Sequence, residues 1–181
     1  MKCIQIVAAL VLLSACWKPV DFREKERPMK KVWGNKPVYA AMNTAKQITF
    51  LVQKQPLHKA GNIYAIGNYI FQVDVGRGIH VIDNSDPVKA DRIGFLTLNG
   101  CEQISIRGSY LYTNSFADLV TIDLSNPTRP IEISRVPNAF PEMAYNYPMA
   151  QPAETGYFTC PRTDSAVVGW IKDSIHATCF K

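Results

Sequence analysis

Residues 78–87 read GIHVIDNSDP, an apolar run that ends in a turn phrase. A looser copy, LVTIDLSNP, occupies residues 119–127. In each copy an aspartate ends the run, where its carboxylate can accept backbone N–H groups in an Asx-turn, and a proline fixes φ shortly afterwards. The recurrence of a strand together with its turn predicts a structural repeat.

The repeat has a period of 40 to 41 residues, because Gly67 aligns with Gly108 and, after a one-residue deletion, Asp83 aligns with Asp123. Each copy contains four short segments rich in Ile, Val, Tyr and Phe, separated by Gly, Asp-Pro or Asn-Pro turns. The segments are residues 62–66, 69–75, 78–83 and 91–98 in the first copy, and 102–106, 109–114, 118–124 and 131–136 in the second. Four strands in about forty residues is the size of a propeller blade. The sequence therefore predicts an all-β fold, a propeller-like stack of four-stranded antiparallel blades.

Two blades are too few for a closed propeller, which takes about four to eight. Further strands are available in residues 36–39 with 47–53, and near the C-terminus in 156–160, 166–171 and 176–180. The chain is then either an open, incomplete stack capped by its ends, or it associates with further copies as a homo-oligomer. The predicted β domain covers 37–181, with repeats at about 61–100 and 101–137, a Pro-rich loop at 137–152 and C-terminal strands at 153–181.

The N-terminus has the features of an export signal. Residues 4–13, IQIVAALVLL, follow Lys2 and are too few to span a bilayer. They lead into Leu13-Ser14-Ala15-Cys16, which resembles the lipobox of bacterial lipoproteins, where the cysteine is acylated. We predict a signal peptide at 1–15 and a lipid anchor on Cys16. An ordinary secretory signal and a lone cysteine in an apolar helix are the alternatives.

Charge is unevenly placed along the chain. Residues 16–36 contain seven basic and three acidic side chains, whereas residues 37–181 contain twelve of each. A net charge of zero on the predicted domain argues against nucleic acid as a partner. The basic segment 16–36 is predicted to be a tether beside anionic head groups, or merely a solvated linker.

Cysteine usage agrees with export. Apart from Cys3 and Cys16, the chain contains Cys101, Cys160 and Cys179. In an oxidising compartment Cys160 is expected to pair with Cys179, because both lie in the C-terminal segment and close a modest loop, and Cys101 is expected to be a small buried residue. No Cys/His cluster is present, so the sequence predicts neither a metal site nor a cofactor.

Motifs for catalysis are equally scarce. The chain contains no GxSxG, HExxH, SxxK or GxxxxGK[ST] motif. His80 aligns with Val120 of the second copy, which favours a packed, hydrogen-bonded histidine over a ligand or base. The turn at residues 76–78 joins two strands, so a hairpin is favoured over a phosphate loop. Ca²⁺ binding by Asp83 and Asp123 is the less favoured reading of the turn phrase, since calcium-loop spacing is missing.

Aromatic residues are the remaining candidates for binding. Most lie in predicted strands and are expected in the core. Tyr145 and Tyr147 lie instead in the Pro-rich loop, where aromatic rings suit glycan or peptide contacts. Asp164-Ser165-Ala166 and Asp173-Ser174-Ile175 match an Asp-Ser/Thr-apolar sequon, which predicts O-glycosylation of Ser165 and Ser174.

The motifs taken together resemble a known group. GIHVIDNSDP, DLVTIDLSNP and the following PTRP are similar to LVIVD-repeat proteins, which are β-propeller-like exported bacterial proteins. Segments KPVY, GNIY, YFTCP and VVGW further resemble a set of short bacterial lipoproteins. The resemblance extends over nearly all of residues 16–181 and implies that the chain is not a fragment. It implies a fold and an envelope location but supplies no catalytic residues.

The function expected from the sequence is that of a non-catalytic lipoprotein of the Gram-negative cell envelope, anchored to the outer membrane on its periplasmic or surface side. Its β domain is expected to bind a protein or glycan partner or to act as a scaffold. The alternative is an envelope enzyme, such as a glycan hydrolase, whose residues converge from separate blades.

Overall fold

The computed structural model describes residues 30–162 and 164–181. The predicted signal peptide, Cys16 and the tether up to residue 29 lie outside the described residues. Short helices are α1 (Met42–Ala45) and two 3-10 turns at Pro87–Lys89 and Pro141–Ala144. The strands, in chain order, are β1 (Val32–Ala40), β2 (Thr49–Leu51), β3 (Ala60–Ile66), β4 (Tyr69–Asp74), β5 (Gly78–Asp83), β6 (Asp91–Thr97), β7 (Ile104–Arg107), β8 (Tyr110–Ser115), β9 (Asp118–Asp123), β10 (Ile131–Val136), β11 (Tyr157–Phe158), β12 (Ala166–Ile175) and β13 (Cys179–Phe180).

The two sequence repeats form one antiparallel sheet each. The first sheet has the order β2-β6-β5-β4-β3 and the second sheet β10-β9-β8-β7. Each of the eight segments predicted from the repeat contributes one of these strands, and β5 and β10 begin and end as predicted. The all-β prediction is confirmed, and within the described residues no sheet closes on itself, so the propeller-like stack is open.

A single apolar cluster joins the first and second sheets. Ile79 and Val81 of β5 belong to it, as do Val120 and Ile122 of β9. In the repeat alignment Val120 corresponds to His80. Because side chains alternate along a strand, His80 projects from the face of β5 opposite to the one that carries Ile79 and Val81. Corresponding faces of the two sheets therefore point the same way, and the back of one sheet packs on the front of the next. This is the packing of neighbouring propeller blades.

The third sheet is built from both ends of the described chain, in the order β12-β1-β11-β13. β1 lies in the middle, antiparallel to β12 and parallel to β11, with Asn35 opposite Phe158. A disulfide joins Cys160 to Cys179, with 5.3 Å between the Cα atoms. The predicted pairing of these two cysteines is present, and it holds β13 beside β11.

Two segments differ from expectation. Residues 47–53 add no separate blade, because β2 pairs with β6 and becomes an edge strand of the first sheet. β1 begins at Val32, so residues 32–36 of the predicted tether lie in the third sheet. Lys36 is compatible with that position because it is exposed and its Nζ contacts Asp173 Oδ2 at 2.9 Å. Among the described residues no helix has the length and apolar character needed to cross a bilayer.

The repeated turn phrase has the same geometry in both copies. Asp83 Oδ1 accepts hydrogen bonds from the backbone N and Oγ of Ser85, and Asp123 Oδ1 accepts the equivalent pair from Ser125. These hydrogen bonds lower the pKa of both aspartates. The Asx-turn prediction is confirmed, and it explains why the sequence repeats this phrase at the end of each third strand.

The turn after β4 is packed against the Pro-rich loop. Gly76 has φ of +86°, and a Cβ built on it would lie 2.8 Å from Met149 Cγ and 3.2 Å from Pro148 Cβ. Its N–H donates to the Cys101 carbonyl at 2.6 Å. Glycine is therefore required here both for its backbone conformation and for the close approach of the Pro-rich loop.

Gly76→Ala is expected to lower the free energy of unfolding by about 2 kcal/mol or more, because left-handed strain adds to displacement of the loop. The control is Gly67→Ala, since Gly67 also has a positive φ of +55°, but a Cβ added there would meet no atom within 4 Å. It should cost only the backbone strain, about 1 kcal/mol. Urea denaturation measures both. Equal losses would show that the loop does not press on Gly76.

His80 is a buried histidine whose ring nitrogens both have no hydrogen-bond partner among the described residues. Its ring packs against Phe95, with centroids 4.8 Å apart. The predicted packing is present, whereas the predicted hydrogen bonding is not. Burial disfavours the charged imidazolium and lowers the pKa of His80 below its ordinary value. The positive charge of Arg92 lowers this pKa further.

Stability is expected to fall on acidification because the pKa of His80 is lower in the folded protein than in the unfolded chain. The unfolded histidine takes up a proton below about pH 6.5, while the folded one resists it, so the folded state loses stability as pH falls below that value. His80→Val should flatten this pH dependence between pH 7 and 5, measured as unfolding free energy by urea titration. Val120→Ala, at the aligned position, should lower stability at every pH without changing the slope. An unchanged slope in His80→Val would refute this assignment.

Candidate functional site

Two clefts lie on either side of the segment that connects the second and third sheets. The segment includes the 3-10 turn Pro141–Ala144 and then residues 145–153. Both clefts share Pro148, Gln151 and Lys181 in their walls. Irregular backbone held on rigid sheets is where proteins commonly place binding residues.

The first, which we call the aromatic cleft, has a volume of about 550 Å³. Its walls combine apolar and hydrogen-bonding side chains from the loop and the third sheet. They are Met42, Ala144, Tyr145, Asn146, Tyr147, Pro148, Ala150, Gln151, Phe158, Pro161, Arg162, Ser165, Cys179 and Lys181. This volume lies in the range of small-molecule and cofactor sites, about 300–1,000 Å³.

The two tyrosines predicted for binding have different environments. Tyr145 is 66% exposed, whereas Tyr147 is only 6% exposed. The Tyr147 ring packs edge-on against Phe116, and its hydroxyl accepts a 2.6 Å hydrogen bond from the Val167 backbone N–H. Burial raises the pKa of Tyr147. Tyr147 therefore fixes the loop to the third sheet, and Tyr145 is the ring of this pair that is open to a ligand.

Arg162 supplies a positive charge to the same cleft. Its guanidinium lies 4.6 Å from the centroid of the Tyr39 ring, and Tyr39 Oη accepts a hydrogen bond from the Arg162 backbone N–H. The side chain also contacts Asp164 and Ser165. The contact with Tyr39 positions the guanidinium, and the ion pair with Asp164 compensates part of its charge.

The second, which we call the basic cleft, has a volume of about 640 Å³ and lies between the third sheet and the Gly76 turn. Cationic side chains outnumber anionic ones in its walls. The lining residues are Asn35, His58, Lys59, Val75, Arg77, Pro148, Met149, Gln151, Pro152, Ala153, Glu154, Trp170, Lys172 and Lys181. No pattern in the sequence indicated this cleft, because its residues come from six separate segments of the chain.

A histidine and a carboxylate meet at the edge of the basic cleft. His58 Nδ1 lies 3.1 Å from Asp74 Oδ2, and Asp74 is almost completely buried. Asp74 also accepts hydrogen bonds from the backbone N–H groups of His58 and Lys59. The carboxylate thus orients the imidazole and fixes the two residues that precede β3. Sequence reasoning missed this pair because no motif links residues 58 and 74.

The remaining residues singled out in the sequence each have a separate environment. Cys101 is buried, its Sγ contacts the Gly78 carbonyl at 3.5 Å, and burial raises the pKa of its thiol to about 12. Ser174 is exposed on β12, and Ser165 is partly exposed at the aromatic cleft. O-glycosylation of these serines stays a prediction. Within the described residues no group of three His, Cys, Asp or Glu side chains is arranged to hold a metal ion.

Comparison with known proteins supports the repeat. A family model described as the LVIVD repeat matches residues 58–90 and 101–137. The first range covers β3 to β5, which are three of the five strands of the first sheet, and the second range covers β7 to β10, the whole of the second sheet. No curated protein and no solved structure gave a match.

Proposed function

We propose that this chain is a non-catalytic lipoprotein of the cell envelope whose β domain, built on two LVIVD repeats, binds a glycan or protein partner in the aromatic cleft. The observation that carries the proposal is Tyr145, an exposed ring beside a cleft whose other walls offer hydrogen bonds. Exposed aromatic rings next to polar side chains are typical of surfaces that bind glycans and peptides.

The polar groups around Tyr145 support this choice of ligand. Asn146 and Gln151 bring amide groups that both donate and accept hydrogen bonds, and Arg162 brings a donor of fixed position. Phe158 is buried beneath the cleft as part of its apolar wall, edge-on to Trp170 with centroids 5.7 Å apart. A ligand with alternating apolar and hydroxyl or amide groups fits such walls, and both sugars and peptides have that character.

The envelope location is supported by residues at both ends of the chain. The lipobox at Cys16 and the basic segment after it favour a lipid anchor near anionic head groups. The Cys160–Cys179 disulfide favours an oxidising compartment. The outer membrane is the proposed membrane, on its periplasmic or surface side.

Intact mass of the protein extracted from native membranes is expected to show a chain that begins at Cys16 and carries two or three acyl groups. Reduction should add about two daltons, because one disulfide opens. Added hexose would support glycosylation at Ser165 or Ser174. An unmodified chain that retains Met1 would refute the anchor while leaving the binding proposal open.

Tyr145→Ala is expected to weaken binding to the glycan or peptide partner about fivefold or more, since a ring stacked on a ligand contributes about 1–3 kcal/mol. The measurement is a screen of the full-length protein on arrays of bacterial glycans and envelope peptides, followed by titration of each hit. The matched control is Tyr110→Ala, because Tyr110 is 44% exposed on β8 and lies outside both clefts. Equal affinity of the two variants would remove the aromatic cleft from the proposal.

The second candidate function is an envelope hydrolase, and the His58–Asp74 pair favours it. A histidine oriented by a buried carboxylate can act as a general base toward a water molecule. The same incubations decide between the two, because mass spectrometry of each bound glycan or peptide detects cleavage. Cleavage by the wild type that is lost in His58→Gln would replace the binding proposal with the enzyme. An intact ligand would assign the pair to fixing the backbone of His58 and Lys59.

A further inference from the structure

We propose that the basic cleft binds an oxyanion, the carboxylate or phosphate group of a small organic ligand, through Lys59, Arg77 and the Asn35 amide. The proposal concerns a different cleft from the one that contains Tyr145, and it does not depend on the proposed function.

Some of the cationic side chains in the basic cleft are engaged by other residues of the chain, and others are not. Lys172 Nζ contacts Glu154 Oε2 at 2.7 Å, and Lys181 Nζ donates to the Pro152 carbonyl at 2.6 Å. Lys59 and Arg77 form no ion pair within residues 30–162 and 164–181. Two uncompensated cations facing one cavity attract an anion, and the low-dielectric walls strengthen the attraction.

The two cations are attached to backbone that is already fixed. The Lys59 N–H donates to the buried Asp74 carboxylate at 2.8 Å. The Arg77 N–H donates to the Asp74 carbonyl at 2.9 Å, within the turn that packs on Pro148 and Met149. Because one residue, Asp74, holds both segments, the spacing between the two backbone positions is set before any ligand arrives. Such preorganisation reduces the entropy lost on binding.

Asn35 supplies the second, independent indication of a ligand. It is 5% exposed, and its Nδ2 has no hydrogen-bond partner within the described part of the chain. Asn35 pairs with Lys172 across β1 and β12, so both side chains lie on the sheet face that forms the wall of the cleft. A buried N–H donor without an acceptor is unfavourable, and an oxyanion in the cleft would supply the acceptor.

The remaining walls indicate what is attached to the anion. Val75, Met149 and Trp170 give the cleft an apolar side, and Trp170 is held in place by a 3.0 Å hydrogen bond from its Nε1 to the Met149 carbonyl. A volume of about 640 Å³ exceeds what a bare phosphate fills. The ligand class that fits is a monosaccharide-sized organic acid or phosphate ester, with its ring or chain against Trp170.

The test is isothermal titration of the full-length protein with glucose 6-phosphate, glucuronate and, as the neutral control, glucose. Glucose 6-phosphate or glucuronate should bind, and whichever binds more tightly identifies phosphate or carboxylate as the preferred group. Arg77→Gln and Lys59→Gln should each weaken that binding about tenfold, the usual effect of removing one charged hydrogen-bond donor. Asn35→Ala should weaken it as well, and circular dichroism verifies that each variant is folded.

Arg107→Gln is the matched control, because Arg107 is an exposed arginine of β7 outside both clefts, and it should bind as the wild type does. Tyr145→Ala should also leave oxyanion binding unchanged, which separates this proposal from the one for the aromatic cleft. The proposal is overturned if neither anion binds, if glucose binds equally well, or if the Arg77 and Lys59 variants retain wild-type affinity.

Discussion

The placement of β1 between β11 and β12 is the interaction on which the rest of the structure depends. An open stack of sheets leaves an apolar face at each end, and such a face needs a cover. The third sheet packs instead against a hairpin turn of the stack, since Val167 of β12 and Tyr147 lie in one cluster with Phe116 of the loop after β8. Without β1 the short strands β11 and β13 would have no central partner. Both clefts would then lose a wall.

The two clefts owe their separation to the loop between the second and third sheets. Met149 and Pro148 press against the Gly76 turn, and Tyr147 is fixed to β12. The loop therefore has one buried side and one accessible side despite its irregular backbone. The result is a partition in which an exposed ring lies on one side and the two cations of the basic cleft lie on the other. A module with two chemically distinct clefts is suited to one ligand that has both an apolar and an anionic part, or to two separate ligands.

The two repeats could be predicted from the sequence because the signals that specify them lie close together along the chain. Each strand has its own apolar pattern, and Asp83 and Asp123 form hydrogen bonds with residues two positions away. The third sheet was foreseen only as available strands, since nothing near Asn35 indicates that it lies opposite Phe158. β2 was assigned to a blade of its own because its pattern cannot show which edge it joins. The clefts could not be predicted because they also depend on contacts between distant segments. Asp74 and His58 meet only through tertiary packing, and Tyr147 packs against a distant strand to which its hydroxyl is hydrogen-bonded.

The pairing of β1 with β11 and β12 also affects the order in which the three sheets form. A chain made from its N-terminus presents β1 first and β11, β12 and β13 last, so the two repeat sheets can form while β1 still lacks both neighbours. Joining segments so far apart carries a high loop-closure entropy, and contacts of this kind form slowly. We therefore expect the third sheet to assemble last, because its central strand has to wait for neighbours from the other end of the chain.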